Sequence, residues 1–194
     1  MGGDVLPVLT GARLRLVPAC ERHALACLAY TLANRAHLER WEPMAPPQCF
    51  TEAFWQARLR AREREWEEGS GFTYLLTLPG APARVLGAVH VSNIVRGVLQ
   101  AGCLAYSLDA AHQGQGLMHE ALTEVIAFAF GPLCLHRLQA NYQPDNARSA
   151  RVLERLGFCR EGLARDYLYI GGAWRDHVLT SLTNPAFDPA PFGA

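Results

Sequence analysis

Lysine is absent from this 194-residue sequence: all 18 basic side chains are arginine. Codon bias is the plainest source of that skew, and one chemical consequence is that the chain offers no lysine of its own for acylation. Paired cysteines are lacking too. Cys20, Cys27, Cys49, Cys103, Cys134 and Cys159 form no C-x-x-C unit, which excludes the usual zinc spacings and a dense disulfide framework. No metal is expected, and the thiols are expected to stay reduced. The longest apolar run, around Val125 to Phe130, falls far short of the ~20 residues that cross a bilayer. Met1 to Gly11 lacks a basic segment followed by an apolar stretch and a small-residue cleavage site, so a cytoplasmic protein is expected. Net charge is also missing, with 18 acidic residues against 18 basic ones. A large electrostatic footprint for nucleic acid or an anionic membrane is therefore not expected.

What is present suits a globular fold: 50% of residues are hydrophobic and 19% charged. One domain over residues 1–194 is expected, with a core over about 12–183 and a loose proline-containing tail over 184–194. Ala12 to Pro18 alternates apolar and basic residues, the period of a half-buried strand. Leu25, Leu28 and Leu32 recur at helical spacing within a helix over about 21–38. Trp41-Glu-Pro-Met-Ala-Pro-Pro47 cannot continue that helix and predicts an ordered loop or lid. Thr51 caps a second helix that Gly69 stops, with Trp55, Leu59 and Trp66 near one face. Phe72 to Leu78, Val85 to Val95 and Leu99 to Leu108 read as three consecutive antiparallel strands. Met118, Ala121, Leu122, Val125, Ile126 and Ala129 trace one helical stripe. A short strand over 137–141, a helix over 146–156 closed by Gly157, and two strands around a Gly171-Gly172 hairpin turn complete the chain.

The unit that carries chemistry is strand, glycine-rich turn, helix: Leu104 to Leu108, Gln113-Gly-Gln-Gly-Leu-Met118, then the stripe. Glycines let backbone approach a ligand, and free amides at a helix start hold anionic oxygens. A phosphate-bearing cofactor is implied. No lysine follows the glycines, and no G-x-G-x-x-G opens a βαβ unit, so nucleoside triphosphate and dinucleotide loops are excluded.

The loop resembles the pyrophosphate motif R/Q-x-x-G-x-G/A of the GNAT superfamily of N-acetyltransferases, with Met118 in place of the last small residue. Asn146-Ala-Arg-Ser149 and Val152-Leu-Glu-Arg-Leu-Gly-Phe158 resemble the N-x-x-S helix start and the leucine-rich segment of the RimJ and RimL kind. Trp41-Glu-Pro43, Ser92 to Gly97, Asp166-Tyr-Leu168 and Trp174 to Thr180 look like the matching RimJ-type segments. The similarity spans about Ala12 to Thr183. It implies an α+β GNAT fold, a mixed, mostly antiparallel sheet flanked by helices, and acetyl-CoA as cosubstrate. It further implies an acceptor that is the N-terminal amine of a ribosomal protein or peptide, alanine first, with a monomer or homodimer acting on it.

By that resemblance the amides of Gly114, Gln115, Gly116, Leu117 and Met118 grip the pyrophosphate, with Gln113 at the entry. Tyr106, Ser107 and Leu108 offer a strand edge to the pantetheine amides, and Asn146 holds the same arm. The departing thiolate needs a proton, for which Ser149 is the candidate donor and Tyr167 the alternative. Asn146 and Ser149 are equally good residues for a helix start, and Tyr167 for packing. Many GNAT enzymes keep a glutamate on the fourth strand, yet Leu99 to Leu108 contains no carboxylate. An α-amino group titrates near ~7.7–8.0 against ~10.4 for lysine, so a strong base is not essential. Glu42 is the candidate to orient the amine or relay its proton. His90, His119, Asp176, His177 and Trp174 are expected to be structural. The same scaffold also acetylates small amines such as polyamines and aminoglycosides. A non-catalytic acyl-CoA-binding ribosome-assembly factor is a further alternative.

Overall fold

The computed structural model describes residues 5–44 and 46–190. Ala45 of the proline-rich loop, residues 1–4 and the end of the tail, 191–194, lie outside the described residues.

The strands are β1 (Leu9–Thr10), β2 (Arg15–Pro18), β3 (Phe72–Thr77), β4 (Gly87–Val95), β5 (Ala101–Leu108), β6 (Arg137–Tyr142), β7 (Cys159–Ile170) and β8 (Ala173–Thr183). They form one eight-stranded sheet in the order β1-β2-β3-β4-β5-β6-β8-β7. Every neighbouring pair is antiparallel except β5 and β6, which run parallel. Parallel neighbours need a crossover, and α3 (Leu117–Phe130) supplies it. The other helices are α1 (Ala24–Leu38), α2 (Glu52–Glu67) and α4 (Ala147–Arg155). The three central antiparallel strands, the α3 stripe and the mixed sheet agree with the sequence reading. Gly171 and Gly172 turn the last hairpin with φ of 60° and 79°, the left-handed pair that a tight two-residue hairpin turn requires.

The ladder between β5 and β6 is short. It joins Ala101 to Arg137, Gly102 to Leu138 and Cys103 to Gln139, and then the strands part. From Leu104 to Leu108, β5 pairs only with β4. The sheet is thus split at its centre, and residues 104–108 border the split.

Two apolar layers cover the sheet. On one face α3 and α4 bury Leu122, Val125 and Leu153 against Leu76, Val89, Val91, Leu104 and Leu138. On the other, α1 and α2 pack Ala24, Cys27, Tyr30 and Leu59 on Leu75 and Val85. This corrects the face expected for α1. Leu25 and Leu32 are 62% and 52% exposed, whereas Ala24, Cys27, Tyr30, Asn34 and Leu38 are buried. Two of those five are polar and inward for a reason: Tyr30 donates to Ser107 Oγ at 3.0 Å, and Asn34 Oδ1 accepts from the Ala110 amide at 2.9 Å. The α2 face also divides. Thr51 caps the helix by accepting from the Phe54 amide, and Trp55 and Leu59 join the α1 layer. Trp66 instead reaches Phe72 and Phe128 in the opposite layer. The tail starts under restraint, since Asn184 Nδ2 donates to the carbonyls of Phe130 and Leu135, and the Phe187 ring meets His136 at 5.1 Å.

Candidate active site

The glycine-rich turn lies between β5 and α3, at the split. Gly114 and Gly116 adopt φ of 75° and 78°, a conformation that costs a residue with a Cβ roughly 1–2 kcal/mol. Gly116 is the N-cap of α3 and carries no side chain to satisfy the first-turn amides. Helix α2 is capped by Thr51 and α4 by Asn146, whose Oδ1 accepts from the Ser149 amide at 3.1 Å. The start of α3 is therefore chemically open to an anion. A Cβ on Gly114 would meet nothing within 4 Å, so the space beside the turn is open too. Met118, the departure from the small residue of the motif, is only 7% exposed, and its side chain belongs to the core. The substitution leaves the turn unobstructed. Leu117 and Leu108 are buried likewise, so these residues present backbone, not side chains.

Tyr106 and Ser149 meet across the split. The Tyr106 hydroxyl lies 2.7 Å from Ser149 Oγ, joining the parted segment of β5 to the start of α4. Burial pushes the Tyr106 phenol up to about 12, against the opposing hydrogen bond from Ser149. It stays protonated near neutral pH, so it can donate into the serine oxygen and leave the serine proton free to point elsewhere.

Gln113 is bracketed. Its Nε2 lies 2.6 Å from His37 Nε2 on α1, and its Oε1 accepts from Arg148 on α4. Arg40, just after α1, pairs with Asp145, just before α4, at 3.5 Å. Burial, and then the Arg148 charge, hold the His37 pKa below the usual histidine value, against Asp109. A neutral His37 accepts the Gln113 amide proton. Arg148 stands inside the Asn146 to Ser149 motif but was not a sequence candidate, and His37 is 76 residues from its partner.

The remaining candidates lie on the opposite face. Alternation sets Leu138, Ala140 and Tyr142 in the α3 layer, so Gln139 and Asn141 point towards the α1 and α2 side. Tyr167 accepts from Asn141 Nδ2 at 3.1 Å, and its ring lies 5.4 Å from His177. It shares no hydrogen bond with Ser149 among the described residues; the two candidate proton donors flank the sheet instead of meeting. Ser107, held by Tyr30, is on the Tyr167 side. Glu42 follows the last turn of α1, its amide bonded to Leu38 O at 3.0 Å. The residue is exposed to water, yet the protein atoms around its carboxyl raise its pKa by desolvation, with Arg58 opposing. Its charge is also felt by the Tyr30 phenol.

His90 has partners at both ring nitrogens. Arg62 donates to its Nε2 at 2.8 Å, which puts the ring proton on Nδ1, facing Thr73 Oγ1 and Phe72 O. Asp176 accepts from the Asp166 amide, His177 is buried with Nδ1 3.0 Å from Arg175 O, and Trp174 pairs edge-on with Tyr169. Among the described residues no cluster of three or more His, Cys, Asp or Glu side chains has metal-binding geometry, and no helix is long and apolar enough to cross a membrane.

An open mixed sheet, split beside a helix that begins on glycine, is the architecture of an acyl-CoA N-acyltransferase, and the chain belongs to the GNAT acetyltransferase family. Residues 13–159 match the family described as Acetyltransferase (GNAT) domain. The [Ribosomal protein uS5]-alanine N-acetyltransferase of Escherichia coli (strain K12) is 42% identical over 181 residues, 93% of each chain. The ribosomal-protein-S5-alanine acetyltransferase structure from Vibrio fischeri superposes with a TM-score of 0.90 at 36% identity, covering 96% of this chain and 100% of that one. Mycobacterium smegmatis RimJ in complex with CoA-disulfide gives 0.83 at 30% identity, covering 92% of this chain and 86% of that one.

Proposed function

We propose that the chain transfers acetyl from acetyl-CoA to the N-terminal α-amino group of a ribosomal protein, alanine first, in the cytoplasm. The observation that carries the chemistry is the Tyr106–Ser149 hydroxyl pair at the parted strands. The choice of acceptor is supported by 42% identity, over 93% of both chains, to an enzyme named for that substrate. Acetyl-CoA supplies the activated acyl group. The amides of Gly114, Gln115, Gly116, Leu117 and Met118 hold its diphosphate, with Gln113 at the entry, and the edge of Tyr106, Ser107 and Leu108 pairs with the pantetheine amides. Asn146 holds the same arm and, as the cap of α4, fixes the Ser149 backbone.

Ser149 gives its proton to the departing sulfur while Tyr106 donates into Oγ and aims it. The amine arrives on the face of Glu42, Ser107 and Tyr167. An α-amino group is partly neutral at ~pH 7.5, so Glu42 needs only to orient it or pass on its proton. Tyr167, held by Asn141, borders that approach.

The test is labelled acetyl-CoA offered with an alanine-starting peptide or with a panel of small amines. Label on the peptide, about 10²- to 10⁴-fold less of it per unit time for Ser149→Ala, and unchanged calorimetric heat from CoA are expected. Label confined to small amines overturns the acceptor. Tight CoA binding without turnover on any amine overturns the enzyme.

A further inference from the structure

Behind the glycine-rich turn stands a brace that the reaction does not use. Arg13 lies between β1 and β2, and Glu120 in the first turns of α3. One Glu120 oxygen accepts from the amides of Arg13 at 2.6 Å and Leu14 at 3.1 Å, and the other from Arg13 Nε at 2.8 Å. Thus clamped, Arg13 donates through Nη1 to the carbonyl oxygen of Gln115 at 2.9 Å. The fit is close: a Cβ on Gly11 would come within 2.6 Å of the Glu120 carboxylate, and one on Gly116 would meet Arg13 Nη2 at 3.5 Å.

Gln115 C=O and Gly116 N–H belong to one planar trans peptide and point in opposite directions. Holding the oxygen from behind therefore turns the Gly116 amide forward, away from Arg13. Gly116 is also where a hinge would be softest, since glycine at positive φ is the residue least confined by its own side chain. We propose that Arg13, locked by Glu120, is a positioning residue for the diphosphate grip: it sets the plane of the Gln115–Gly116 peptide and so aims the amide. This rests on the acetyl-CoA reading above. The guanidinium acts through geometry, not as a free positive charge for phosphate, because the carboxylate neutralises it. Lysine cannot replace it, since a single ammonium lacks the planar fork that reaches Glu120 and the carbonyl together.

Two mechanisms separate cleanly in Glu120→Gln. If Arg13 served as a charge, removing its counter-ion would strengthen CoA binding; if it serves as a brace, loosening the clamp weakens it. We expect Arg13→Ala and Glu120→Gln each to raise KM for acetyl-CoA and Kd for CoA by about tenfold or more. With acetyl-CoA saturating, kcat should stay within about twofold, and Arg13→Lys should fail to restore affinity. Thermal unfolding of each variant, and the shift of the Gly116 amide resonance on adding CoA, distinguish mis-aiming from unfolding. Equal or tighter CoA binding by Glu120→Gln, or unchanged affinity in Arg13→Ala, overturns the proposal alone. A folded wild-type protein that gives no heat with CoA overturns the acetyl-CoA reading and the brace together.

Discussion

His90 carries a prediction that belongs to a single side chain. Burial, and then the Arg62 charge, depress its pKa from 6.5 to about 4, with Glu65 opposing. The folded state resists protonation while the unfolded chain accepts it from about pH 6.5 downwards. Stability is therefore full above that point, falls as pH drops towards 4, and levels off below. Thermal unfolding of His90→Gln across this range should show a shallower slope than wild type. His23 and His37 are shifted in the same direction and keep part of it. Glu120 acts lower on the scale. Burial alone would raise its carboxyl, but the Arg13 and Leu14 bonds outweigh it, so its contribution is lost only as pH falls below about 4.5. Residues like these were hard to see in the sequence because their partners are remote: Arg13 and Glu120 are 107 positions apart, Tyr106 and Ser149 43. Ser149 was legible only through its motif, and Tyr106, whose hydroxyl lies 2.7 Å from it, was expected merely to supply backbone.

At the scale of elements, legibility followed the strength of the period. Helix α3 announces itself because Met118, Ala121, Leu122, Val125 and Ala129 are all buried and all apolar. Helix α1 misleads because Tyr30 and Asn34 turn inward to serve β5 and the turn after it, while Leu25 and Leu32 face water. A hydrophobic stripe reports packing, and here a buried polar job displaced it. The glycine turn was legible because glycine takes both of its left-handed positions without the cost a Cβ adds, and that supplies a test of the element. Gly116→Ala adds a Cβ that meets only Arg13 Nη2, at an ordinary 3.5 Å, so its cost is conformational. We expect about 1–2 kcal/mol of lost stability in denaturant unfolding. Because the strain falls on the helix start, calorimetry should also record weaker CoA binding. An alanine variant that binds CoA like wild type would remove the turn from the site.

For the molecule as a whole, the governing feature is the split between β5 and β6. The sequence placed strands on either side of α3 but could not show that their ladder ends at Cys103 and Gln139, since register is decided by neighbours distant in the chain. Those amides of Leu104 to Leu108 that do not bond to β4 face the split. Hydrogen exchange at them should slow when CoA is added, whereas exchange in β3 should not change. Uniform slowing across the sheet would argue for general stabilisation by ligand instead of pairing at this edge. The split also separates traffic. The candidate donor path begins at α3 and α4 on one side, and Tyr167 and Ser107 look out on the other. On the proposed function, neither substrate has to depart before the second enters, and free coenzyme retires by its own door while the modified polypeptide withdraws through another.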